Sequence, residues 1–181
     1  MCIRDRCDTI ALDGVLARVV AVEANVGPGL PGVHVVGLGD AAISESRDRI
    51  RTAVSNSHLP WPKTKVVVSM SPASLPKAGA HFDLPMALAI LGAGQGEHGR
   101  LARALVLGEL GLDGQVRPVS GIIPAILAAR SHGYDTLVIP TGNAAEAALV
   151  PDMNVLVADT LWDAYAWACG SDCLFLARDV A

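Results

Sequence analysis

Short β-branched runs alternate with longer Ala- and Leu-rich stretches along almost the whole chain, and this pattern admits few arrangements other than helices packed on a sheet. Residues 15–24 read as a strand closed by the turn cluster Gly27 Pro28 Gly29, and residues 33–38 as a second, shorter one. Asp40 stands in the N-cap place of a helix running to about Ser57. In that helix Ile43, Ile50 and Val54 share one face, and Glu45 and Arg49 are spaced for an i,i+4 pair. After the breaker Leu59 Pro60 Trp61 Pro62, residues 65–70 predict a buried strand. Asp83 is placed to cap a helix over residues 84–91, which tolerates Pro85 in its first turn, and the glycines from Gly92 to Gly99 end it. Residues 105–112 and 115–119 flank Asp113 Gly114, the favoured pair for a two-residue hairpin turn with positive φ. Residues 122–132 read as a helix capped by Gly133. Residues 136–139, 144–149, 154–157 and 161–168 continue as strand, helix, strand and helix.

A length of 181 residues suits one domain with a substantial core. Hydrophobic residues make up 51% of the chain but aromatics only 4%, so that core is built from Ala, Val, Leu and Ile. Mean hydropathy is +0.41, yet the apolar runs at 84–93 and 122–129 are too short to span a bilayer, and no membrane partner is expected. The first residues lack a charged stretch leading into an apolar run and a cleavage site, so the expected location is cytoplasmic. Residues 1–9, with their alternating charges, are expected to be a poorly ordered or non-native leader. The domain itself is placed at 10–168, followed by a tail at 169–181.

Cys2 with Cys7 and Cys169 with Cys173 form two pairs, neither with the two-residue spacing of a zinc knuckle. The formal net charge of −4 argues against a surface that is basic throughout. The cations are nonetheless crowded into the first half of the chain. Arg47, Arg49 and Arg51 on the first helix, with Lys63, Lys65 and Lys77, are the candidates for contact with a nucleic-acid backbone, because cations neutralise phosphates without reading sequence. The competing reading is a solvated helix face paired to Glu45 and Asp48.

Several segments in order carry a family resemblance: Gly29 Leu30 Pro31 Gly32 Val33 His34 Val35 Val36 Gly37 Leu38 Gly39 Asp40, Glu45 Ser46 Arg47 Asp48 Arg49, Pro72 Ala73 Ser74 Leu75 Pro76 Lys77, Phe82 Asp83 Leu84 Pro85, Gly108 Glu109 Leu110, and Arg117 Pro118 Val119. Together they resemble the N-terminal domain of the ComM/YifB family of magnesium-chelatase-like AAA+ ATPases, over residues 10–168. Gly39 stands where that family usually has Pro, and Ser69 Met70 Ser71 where it has an Asn-containing strand end. The resemblance implies a Lon-protease-like α/β fold, in a two-layer α+β form with a mixed sheet and a hairpin at Asp113 Gly114.

It also allows a residue-level test. Aligned on Lon's Pro Lys Asp Gly Pro stretch, Pro76 Lys77 Ala78 Gly79 Ala80 puts His81 in the place of the serine nucleophile, and the lysine base falls at Ala125. A Ser/Lys dyad needs a desolvated neutral amine to take the hydroxyl proton, which neither side chain supplies. No catalytic residue is therefore expected. The resemblance implies a non-proteolytic module of an ATP-driven DNA-remodelling motor, as in branch migration during natural transformation, whose own C-terminal AAA+ module would lie beyond Ala181. ATP and magnesium would bind that module, and branched or single-stranded DNA and a homo-hexamer belong to the full-length context. An active Lon-like peptidase and a magnesium-chelatase subunit are the alternatives.

Within this chain no P-loop pattern of glycines followed by Lys and Ser or Thr occurs. His81 and Asp83, with Glu109, His58 or His34, invite a metal or acid/base reading. The spacing of a catalytic zinc site is missing, and the simpler reading makes Asp83 a helix cap, Glu109 a partner of backbone donors near the hairpin and His81 a loop residue.

Overall fold

The computed structural model describes residues 3–37, 40–95 and 99–181. β1 (Ile3–Asp13) and β2 (Leu16–Gly27) form a long antiparallel hairpin, β3 is Gly32–Val36, α1 is Asp40–Asn56, and β4 is Lys65–Ser71. A 3-10 turn at Ala80–Phe82 leads into α2 (Asp83–Gln95); β5 (Ala104–Val106), β6 (Glu109–Leu110) and β7 (Val116–Arg117) follow. The rest is α3 (Ile122–Ser131), β8 (Thr136–Pro140), α4 (Ala144–Ala147), β9 (Asn154–Ala158), α5 (Leu161–Ala168), β10 (Phe175–Leu176) and α6 (Ala177–Val180).

Eight strands form one mixed sheet in the order β10-β9-β8-β5-β1-β2-β4-β3. Strands β1, β5, β8 and β9 run parallel to one another, as does β3 to β4, while β10 is antiparallel to β9 and β2 is antiparallel to both β1 and β4. Strand alternation sends side chains to opposite faces, so the sheet separates two cores. One holds Val22, Val66, Val68, Phe82, Leu88 and Ile90 with the inner sides of α1, α2 and α5; the other holds Ile10, Leu105, Leu107, Leu137 and Ile139 with α3, α4 and α6. The α/β class is as expected. Helices cover both faces, which adds a layer to the two-layer form.

The leader and tail expectations give way to ordered structure. From Ile3 onward the supposed leader is β1, paired residue by residue with β2, and Cys7 and Thr9 on it are fully buried. The charges at Arg4, Asp5, Arg6 and Asp8 hid the strand alternation: Asp8 is nearly buried and accepts hydrogen bonds from Arg6 (2.7 Å) and the Tyr134 hydroxyl (2.5 Å). The supposed tail returns to the sheet, with Phe175 and Leu176 pairing to Val157 and Leu156 and Ala177 buried beneath. Met1, Cys2, Leu38 and Gly39 lie outside the described residues, as do the side chains of Asp40 and Ile43. Cys7, Cys169 and Cys173 are free thiols.

The hairpin is present but shorter than expected, and its turn is of another kind. Residues 104–106 belong to the main sheet, leaving β6 and β7 as a two-residue ladder. Gly111 N–H donates to Gln115 C=O (2.9 Å), Gly114 N–H to Gly111 C=O (3.0 Å), and only Gly114, at φ +88°, is left-handed. This is a three-residue loop with a bulge glycine, in which the Asp113 carboxylate accepts from Gln115 N–H (3.0 Å).

Candidate nucleic-acid interface

The three arginines of α1 have different surroundings because the helix turns them to different sides. Ser46, Ile50, Ala53 and Val54 form its buried face, and Arg49 lies on the flank of that face with its side chain 24% exposed. Its Nε and Nη2 donate to the two oxygens of Asp83 at 2.8 and 3.0 Å, and Nη2 also reaches Ser46 Oγ at 3.3 Å. Glu45 adds the expected i,i+4 pair at 3.6 Å. Asp83 is fully buried and also accepts from Leu110 N–H at 3.2 Å, so one carboxylate ties α1, the start of α2 and the β6–β7 hairpin together. Burial pushes its carboxyl up against the pull of Arg49 and Leu110, while Asp83 raises the guanidinium in turn. The helix-cap reading of Asp83 is thus replaced by a cross-link between elements. Near the hairpin the Leu110 N–H is taken by Asp83.

Arg47 and Arg51 are exposed, one turn apart. Arg47 Nη1 donates to Val33 C=O on β3 at 3.1 Å, and Lys65 pairs in register with Gly32 at the start of the same strand. Lys63 and Lys65 are exposed. Among the described residues none of these four cations has an ion-pair partner. Lys77 stands apart: its Nζ donates to Pro72 C=O (2.6 Å) and Leu75 C=O (2.9 Å), and partial burial lowers its pKa. The structure therefore places Arg47 and Lys65 at β3, leaves Arg51 and Lys63 exposed, and engages Arg49 and Lys77 in internal bonds.

His81 is buried and stacks against Phe82 with ring centroids 4.1 Å apart. Its Nε2 lies 2.6 Å from Ile10 C=O and donates to it; burial lowers its pKa despite that bond, so the ring is held neutral. The Ala125 methyl is fully buried in the core that also contains Ile10. His81 thus bonds to Ile10, a residue of the core in which Ala125 is buried. The 3-10 turn and Gly108 bond reciprocally, Gly108 N–H to His81 C=O (3.1 Å) and Leu84 N–H to Gly108 C=O (2.9 Å). A Cβ at Gly108 would lie 2.8 Å from Val116 Cγ1, so this contact requires glycine.

Away from these residues an open cleft of about 800 Å³ is lined by Arg4, Arg6, Asp8, Glu23, Arg103 and Tyr134. Two of its cations are paired, Arg6 with Asp8 and Arg103 with Asp135. No group of three or more His, Cys, Asp or Glu among the described residues is arranged to hold a metal.

A mixed sheet with helices on both faces, and a 3-10 turn bonded to Gly108 ahead of the β6–β7 hairpin, defines a Lon-like α/β domain of the magnesium-chelatase type. The model for "Subunit ChlI of Mg-chelatase" matches residues 22–143, and the chain belongs to that family. An uncharacterized protein of Mycobacterium tuberculosis is 46% identical over 167 residues, and competence protein ComM of Haemophilus influenzae 40% over 168. Each alignment covers 92% of this chain and 33% of the relative, so the chain spans about a third of the length of these curated proteins. Lon protease of Mycolicibacterium smegmatis is 28% identical over 158 residues, 84% of this chain and 19% of that protein. Among the described residues no helix is long and apolar enough to cross a membrane.

Proposed function

We propose that this chain is the non-proteolytic N-terminal module of a ComM-like, ATP-driven DNA-remodelling motor and that it engages the nucleic-acid backbone through Arg47, Arg51, Lys63 and Lys65. The observation that carries this reading is the contrast within one helix: Arg49 is bound to Asp83, whereas Arg47, with one N–H on Val33 C=O, and Arg51 are exposed and, like Lys63 and Lys65, have no ion-pair partner among the described residues. Unpaired cations on a strand–helix edge suit phosphate contact without base readout.

In the full-length protein the ATPase module, with its ATP and magnesium, follows this domain, and the assembly is a cytoplasmic homo-hexamer acting on branched or single-stranded DNA. The ComM relative's name, a competence protein, supports natural transformation as the setting. His81 and Ala125 support a scaffold kept for shape, with assembly or DNA engagement as its task.

Fluorescence anisotropy of labelled forked DNA at low salt tests the reading. Arg47→Glu with Arg51→Glu weakens binding by about tenfold or more, since each reversal removes one phosphate contact and adds a repulsive one. An unchanged affinity in the folded double variant excludes the assignment.

A further inference from the structure

β3 is last in the strand order, so one of its sides has no neighbouring strand. Val33 and Val35 turn their side chains to the core on the α1 side, while His34 and Val36 face outward, Val36 being 54% exposed. Backbone groups alternate direction along a strand, and the bond from Arg47 to Val33 C=O identifies the outward set as those of Val33 and Val35. No backbone group of another element bonds to that side among the described residues. Gly32–Val36 contains no proline, lysine or acid, and its register with β4 is unbroken by a bulge, so the usual devices that blunt an open edge are missing.

Among the described residues Arg47 is the single group bonded to this edge, and it acts as a substitute: a guanidinium N–H occupies the place of a strand N–H. The surroundings set the chemistry of what replaces it. Arg47 and Arg51 stand one turn apart on the helix above, and Lys65 lies beside Gly32 with its side chain against Gly29. We propose that β3 is a strand-addition site for an extended acidic peptide segment of a protein partner. The arriving backbone N–H takes Val33 C=O, the outward N–H of Val35 is satisfied by a peptide carbonyl, and the released Arg47 pairs with a peptide carboxylate.

The probe is a short labelled peptide of alternating valine and glutamate, with its valine–lysine counterpart as control. The acidic peptide binds at low salt and slows hydrogen exchange at the Val33 and Val35 amides, while the lysine peptide does neither. Val35→Pro removes an outward donor and leaves the ladder to β4 intact, so the variant folds, shown by its melting transition, and loses peptide affinity by about tenfold or more. Val35→Pro leaves forked-DNA binding unchanged, which separates failure of this proposal from failure of the DNA reading. Equal binding of both peptides, unprotected Val33 and Val35 amides on the wild-type chain, unchanged affinity in folded Val35→Pro, or self-association through β3 in place of peptide binding would each overturn it.

Discussion

Arg49 and Arg51 are two positions apart on one helix, and burial alone separates their roles. Arg49→Ala leaves the fully buried Asp83 without its counter-charge and is expected to cost about 3–5 kcal/mol, whereas Arg51→Ala stays within about 0.5 kcal/mol; urea unfolding of both variants reads the difference. The signal for this was in the helix periodicity, since Arg49 falls beside Ser46, Ile50 and Ala53 on the inward flank. What periodicity could not supply was the partner, because Asp83 lies 34 positions away and reaches Arg49 only once α1 packs beside α2. His81 makes a second residue-scale prediction. Its pKa is depressed by burial, so the unfolded chain takes up a proton at about pH 6.5 while the folded one resists. Its contribution to stability is full above that pH and is lost as pH falls below it toward the folded value. His81→Gln, which keeps a donor for Ile10 C=O but does not titrate, flattens the decline in melting temperature between neutral and mildly acidic pH. An equal decline in both proteins would contradict the assignment.

At the scale of elements, the β6–β7 hairpin shows how local chemistry and tertiary context divide the work. Asp113 Gly114 correctly marked a turn. Its type depended on the Gly111–Gln115 pairing and on Leu161 N–H, which donates to Gly114 C=O at 2.8 Å from the start of α5. Gly114→Ala meets positive φ and a Cβ contact of 2.5 Å to Ser57 Oγ, so the substitution is expected to destabilise by about 1–3 kcal/mol. Thermal unfolding checks this, and a neutral outcome would mean that the loop relaxes freely of α1 and α5. The elements from α3 to α5 were legible because cap and breaker residues bracket them: Gly133, at φ +78°, passes the chain on while Tyr134 N–H closes onto Ala129 C=O at 2.9 Å. β1 and β10 were not, since neither carries a local signal as strong as its pairing to a neighbour already in the sheet.

Across the whole molecule, two apolar cores on opposite faces of one sheet hold the frame, and Arg47 and Lys65, which have no ion-pair partner among the described residues, lie at its β3 edge. The fold class could be read from ordered motifs. The separation of free from bound cations could not, because it depends on which side of α1 faces the core. That separation is also what the proposed function depends on most. The most direct measurement is the salt dependence of forked-DNA binding by the wild-type chain and by the folded Arg47→Glu, Arg51→Glu variant. Contact through those cations predicts a log–log slope shallower by about 2 in the variant, one unit for each lost phosphate contact. Parallel slopes with equal affinities would contradict it.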